Sequence, residues 1–214
     1  MLKSKNIFII YFKAYDRLLS LILSFISTLL LKIKLSVLGC KFGRKLYADG
    51  SVLVRVDRAG SIEIGDDVMM LSRFSTNLAG MNGPVVLVCS GEGKISIGEN
   101  TGLSSAILSS RSGIKIGKNV KIGCNVRIYD HDFHTADHLV RRLPKDGDKA
   151  ATEQIVIGDD VFIGANAIIL KGARIGDRSI IGAGAVVAVK DIPADSLVVC
   201  NPAKVLKELK NNAK

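Results

Sequence analysis

The 214-residue chain predicts an all-β solenoid of short strands turned at fixed corners, and three observations carry that prediction. A unit of one aliphatic residue followed by glycine recurs with a period of six. Residue types that tolerate a left-handed backbone recur at the fourth place of that unit. The composition is rich in aliphatics and poor in rings: 48% of residues are hydrophobic, 5% are aromatic and there is no Trp. Such a chain can build one well-cored domain and a small appendage, and its abundance of Ile, Val and Leu excludes intrinsic disorder.

The appendage comes first. Residues 1–39 read as a helix, with no Pro and no Gly before Gly39. Lys13, Asp16, Arg17, Ser20, Ser24, Ser27 and Thr28 form a thin polar stripe on an otherwise apolar cylinder. The uncharged run Leu18–Leu31 gives roughly 21 Å of helix, short of the ~30 Å of a bilayer core. Residues 1–45 carry nine Lys/Arg against one acid, so they supply +8 of the formal net charge of +10. Basic charge beside an apolar stretch suits an anionic membrane surface. Nucleic acid as a partner is set aside, because the charge is not spread over the folded module among stacking aromatics. The helix is therefore read as a membrane-interface anchor, with packing on the domain or on a second copy as the alternative. Val37-Leu38-Gly39-Cys40 resembles a lipoprotein cleavage box, but Lys32 and Lys34 interrupt the apolar region that such a signal needs. Secretion is set aside on that ground. Cys40, Cys89, Cys124 and Cys200 are widely spaced and read as reduced, mostly packing residues.

The repeats occupy residues 40–200. Ile157, Ile163, Ile169, Ile175, Ile181 and Val187 stand six apart, Ile116, Ile122 and Ile128 form a second block in phase, and Ile64 and Ile97 start less regular stretches. Neither a helix nor an ordinary strand has this period. Short strands joined by bends do, with one aliphatic pointing inward per face, stacked turn on turn into an apolar prism. The corner position holds Asp67, Asn100, Asn119, Asn125, Asp160, Asn166 and Gly184, with Arg178 the one exception to type. On these units the chain resembles the left-handed parallel β-helix, or hexapeptide-repeat, acyltransferases from about residue 50 to 210. The resemblance implies three units per triangular turn and a homotrimer with active sites between neighbouring prisms.

Between Ile128 and Ile157 the phase is lost, so Tyr129–Gln154 is predicted to leave the prism as a polar loop. Its first turn, IYDHDFHTADH, holds all three histidines of the chain: His131, His134 and His138. Three imidazoles among Asp130, Asp132 and Asp137 would satisfy zinc chemically, but ligands confined to one segment lack a supporting shell, and no metal is expected. One imidazole suffices as a general base for acyl transfer near neutral pH. IYDHDFHT resembles the Asp-x-Asp-x-His pattern of the sugar and surface-polysaccharide O-acetyltransferases, which implies His134 as the catalytic base, with His131 the second candidate. Asp130 or Asp132 would hold the imidazole tautomer or bind an acceptor hydroxyl, and loop capping is the plainer use of either.

The same resemblance implies acetyl-CoA as donor, held by the backbone of Ala165 and Ala183 and by Lys190, Lys204 and Lys207. Val189 stands where the family often has Thr. Lys204 and Lys207 stand where it often has Arg, and Lys offers phosphate a point charge without the bidentate fork. Asn201-Pro202 reads as the start of a short C-terminal helix within 201–214. The expectation is thus a trimeric, acetyl-CoA-dependent O-acetyltransferase, peripheral on the cytoplasmic face of the membrane, acting on a lipid-linked or surface glycan. The rivals are a β-helix scaffold and a metal enzyme like the γ-type carbonic anhydrases. A donor larger than acetyl, such as succinyl, stays open.

Overall fold

The computed structural model describes residues 2–188 and 190–209, without the side chains of 2–8 and 76; Val189 and the last five residues of the expected C-terminal helix lie outside them. Among the described residues, twenty of the twenty-one strands run parallel within three sheets, and each of these pairs with the strands three places before and after it in the chain. That order describes a three-sided coil. The first sheet runs from Lys41–Phe42 to Asp191–Ile192, the second from Tyr47–Asp49 to Ser196–Val199, and the third from Val52–Val56 to Val186–Val187. The period of six follows from this geometry between Ile155 and Ile192, where each face takes a two- or three-residue strand and each corner takes the rest.

Register explains the core. Ile95, Ile114 and Ile155 lie opposite one another in successive turns, as do Ile97, Ile116 and Ile157. All six are buried, and stacking at the ~4.8 Å strand spacing makes one continuous aliphatic column. Every corner position named from the sequence has positive φ, from 55° at Asn100 to 71° at Gly184, and Arg178 conforms at 59°. Lys45 and Asp195 occupy further left-handed corners, at φ 53° and 58°; their units begin Phe42-Gly43 and Ile192-Pro193 and so escape the aliphatic–glycine pattern.

One helix, α1 (Leu2–Val37), precedes the coil. Its polar stripe faces the prism: Ser24, Leu31 and Leu35 are buried, and Thr28 Oγ1 both accepts from the Ala48 amide (2.9 Å) and donates to the Ala48 carbonyl (3.1 Å). Arg73 pairs with the buried Asp49 and donates to Ser20 Oγ at 2.6 Å, tying α1 to the corner beside the first turn. The apolar cylinder therefore points outward, and sixteen large hydrophobic side chains between Ile9 and Val37 are exposed.

Two features differ from expectation. The chain after Asn201-Pro202 forms a strand, Lys204–Glu208, antiparallel to Ser196–Val199, and not the predicted helix. The second sheet otherwise ends in an open row of backbone donors and acceptors, and covering that edge outweighs the helical propensity of KVLKEL. A second, shorter excursion, residues 72–84, was not foreseen; Asn125 holds it by donating to the Gly80 carbonyl and accepting from the Asn82 amide. Cys40, Cys89 and Cys124 are buried free thiols and Cys200 is an exposed one. Burial pushes the Cys89 thiol up to about 12, consistent with a packing role.

Candidate active site

The excursion between Tyr129 and Ile155 leaves the corner that joins the third sheet to the first. Asp130 is its foot. The carboxylate is fully buried and accepts from Ser110 Oγ (2.7 Å), from the amides of Arg111 (2.8 Å), Ser112 (2.9 Å) and Gly113 (2.6 Å), and from His131 Nδ1 (3.0 Å). Burial acts to raise its pKa, but His131, Ser110 and the two amides that follow outweigh it and hold the group below the ordinary carboxylate range.

His131 shares that burial. Its ring lies 4.9 Å from the Phe133 ring, and its backbone bridges to Thr152 on the returning limb. Asp130 and His131 therefore close the base of the loop, and neither touches His134. The imidazole that Asp130 orients is thus that of His131, and a buried carboxylate already holding five donors has no capacity left for an acceptor hydroxyl. Asp132 pairs with Lys171 at 2.6 Å and is likewise not His134's partner.

His134 is exposed, and its Nδ1 faces Asp146, 3.1 Å from Oδ2 and 3.3 Å from Oδ1. Asp146 lies on a 3₁₀ turn, Asp146–Lys149, entered through the left-handed Lys145. Its side chain is only 13% exposed, so the loop holds the carboxylate in place while the imidazole reaches solvent. Arg111 fixes the turn from beneath by donating to the Gly147 carbonyl and pairing with Asp148. Asp146 went unrecognised in the sequence because its one signal was the turn composition of LPKDGDK, twelve residues beyond the histidine. His138 is exposed, and no group of three metal-ligating side chains gathers among the described residues.

Ala165 and Ala183 lie in successive turns at the corner between the second and third sheets, where Gly184 N donates to the Ala165 carbonyl at 2.9 Å. Neither the Ala165 nor the Ala183 amide has a hydrogen-bond acceptor among the described residues, so the pair offers two stacked donors to a ligand. Lys190 belongs to the other edge of the third sheet, the corner from which the loop leaves, and pairs with Glu153 on the loop's returning limb at 2.8 Å. Lys204 and Lys207 are exposed on the final strand. Within one chain the predicted residues thus form two groups, separated by the width of the third sheet.

Two family descriptions match the coil: "Hexapeptide repeat of succinyl-transferase" over residues 94–130 and "Bacterial transferase hexapeptide (six repeats)" over residues 154–188. A Schizosaccharomyces pombe protein named as an acetyltransferase is 41% identical over 98 residues, which are 46% of this chain and 44% of that protein. The chain therefore matches under half the length of that relative. Among solved structures, a hexapeptide-repeat acetyltransferase of Vibrio cholerae in complex with acetyl-CoA is 26% identical, covering 83% of this chain and 75% of its own, with a TM-score of 0.50. A maltose O-acetyltransferase of Clostridium difficile is also 26% identical over 83% of this chain and 73% of its own, with a TM-score of 0.51. The two matched stretches are the same turns whose aliphatics stack in register, on either side of the histidine loop. Over these turns the chain is similar to the hexapeptide-repeat transferases.

Proposed function

We propose that the protein is an acetyl-CoA-dependent O-acetyltransferase with a sugar hydroxyl as acceptor and His134 as general base. The observation that carries this reading is the contact between His134 Nδ1 and the Asp146 carboxylate. A carboxylate at Nδ1 selects the tautomer with its proton there and leaves Nε2 as a lone-pair acceptor. Nε2 then takes the acceptor hydroxyl proton as that oxygen attacks, and Asp146 stabilises the resulting imidazolium. The proton returns from Nε2 to the departing thiolate. Acetyl-CoA supplies the activated acyl group, and the open amides of Ala165 and Ala183 and the charges of Lys190, Lys204 and Lys207 are suited to hold it.

A homotrimer belongs to the same reading, as does a left-handed coil. The outer face of the first sheet is charged, with Lys41 paired to Glu63 and with Lys115, Arg174 and Asp191 in line. The second and third sheets turn out Met69, Phe162 and Leu53. Covering those two faces with neighbouring copies would bring the alanine corner of one copy towards the loop corner of another.

The outward face of α1 suits a membrane interface. Its segment Ile9–Val37 has a mean hydropathy of 2.0 and is long enough by composition to cross a bilayer, but the polar stripe and Thr28 hold the second half of the helix against the prism. We therefore read it as lying along the cytoplasmic face. The loop leaves the fourth turn, about 15 Å above the turn on which α1 packs, at ~4.8 Å per turn. That spacing fits an acceptor carried on a lipid.

Calorimetric titration with acetyl-CoA tests the enzyme reading without knowledge of the acceptor. Saturable binding that weakens in Lys190→Ala and survives in His134→Ala is expected. No binding at millimolar ligand would sink the reading and favour a scaffold.

A further inference from the structure

The loop divides its corner into two sides that differ by one charge. Beyond it, towards the C-terminal turns, Lys171 pairs with Asp132 and Lys190 with Glu153, which leaves no net charge. Before it lies a cleft of about 350 Å³ lined by Asp57, Ser90, Glu92, Arg111, Asp148 and Thr152. These residues come from the corners of the first three turns and from the underside of the loop. The cleft lies against the turn that carries Asp146, because Arg111 holds Gly147 and Asp148, the two residues that follow it.

The polar groups of the cleft are only partly used. Asp57 accepts the Gly91 amide at one oxygen, Oδ2 (2.9 Å), and Glu92 is paired with Arg58 through Oε2 alone. Asp57 Oδ1, Glu92 Oε1 and the Ser90 hydroxyl have no partner among the described residues. Acceptors, a hydroxyl and a guanidinium around a small hollow match the many O–H groups of one pyranose ring, and the volume lies at the small-ligand end of the usual 300–1,000 Å³ range. The charge decides what kind of sugar fits. Three carboxylates stand against Arg111 and Arg58, which leaves one net negative charge. A phosphate or a uronic acid is repelled there, whereas a neutral or amino sugar is not.

We infer that this cleft is the acceptor subsite and that it selects a neutral or amino sugar over an acidic one. The inference rests on the acetyltransferase reading and deepens it: the anionic donor approaches on the lysine side of the loop and the uncharged acceptor on the carboxylate side.

Saturation-transfer NMR on the full-length protein tests it with three probes: methyl glucoside, methyl glucosaminide and methyl glucuronide. The first two should bind and the glucuronide should not. Asp57→Asn and the more exposed Glu92→Gln should each weaken glucoside binding about tenfold, the cost of degrading one hydrogen bond to a charged group, with acetyl-CoA binding unchanged. Glucuronide binding as well as glucoside would overturn the inference, as would unchanged glucoside binding in both variants. Acetyl-CoA binding with no glycoside binding would also overturn it while leaving the acetyltransferase reading intact. Glycoside binding without acetyl-CoA binding would remove the acetyltransferase reading, and the acceptor assignment that depends on it, and leave only a sugar-binding cleft.

Discussion

Two aspartates sixteen residues apart serve the loop in opposite ways. Asp130 is spent on structure: five donors converge on it, and removing them from their partner leaves buried polar groups unsatisfied. Asp130→Ala should cost on the order of 3 kcal/mol, the scale for breaking a buried charged network, and urea melts would read it. Because its folded pKa is lowered, the stability that Asp130 contributes is present above the unfolded value of about 3.9 and is lost as pH falls through the lower folded value. Asp130→Asn should therefore flatten the acid limb of the stability curve. Asp146, in contrast, faces His134 and accepts besides only the Thr135 amide, at 3.4 Å. Asp146→Asn should leave the melt unchanged and lower transfer to a sugar acceptor about ten- to a hundredfold, with His134→Ala losing ~10²–10⁴; steady-state kcat against KM would separate this from an acceptor-binding defect. A short pattern in the sequence flags the histidine as a candidate. Its partner was not legible, because a loop has no periodicity to say which distant residue folds back.

The corners were legible for the converse reason. A unit repeated six residues apart fixes where the chain must turn, so even Arg178 could be placed at a corner although its type argues against one, and it adopts φ 59°. Asp160 gives a clean test, since it stands at φ 58° and its carboxylate makes no hydrogen bond among the described residues. Asp160→Val should destabilise by about 1–2 kcal/mol, the cost of a left-handed backbone for a branched side chain, while Asp160→Gly should not destabilise at all. Denaturant midpoints compare the two. The final strand was not legible: local propensity favoured a helix, and only the assembled sheet supplies the edge that overrides it. The same limit applies to α1, whose stripe was evident but whose docked side was not. Phe25→Glu combined with Leu29→Glu and Leu30→Glu changes only exposed positions of α1 and spares the Ser20 and Thr28 contacts, so the variant should keep its fold and lose co-sedimentation with anionic vesicles; unchanged sedimentation would sink the anchoring idea.

Across the whole molecule, the prism sorts its faces by chemistry. One sheet is charged outside, two are largely apolar, and the loop corner pairs its lysines with acids on one side and keeps an excess of carboxylate on the other. Size-exclusion chromatography with light scattering should report three copies, and Phe162→Glu, which charges an exposed apolar face without touching the core, should shift the population to single chains. A parallel coil would ordinarily be open to growth at both ends, since its terminal turns present unpaired backbone in strand geometry. Here Thr28 of α1 takes both bonding groups of Ala48 at one end, and Lys204–Glu208 closes the last long strand at the other with a run of reversed polarity. Both caps fall on the second sheet, so a prism stacked end on end against another would find bonding groups of that face already taken at either terminus.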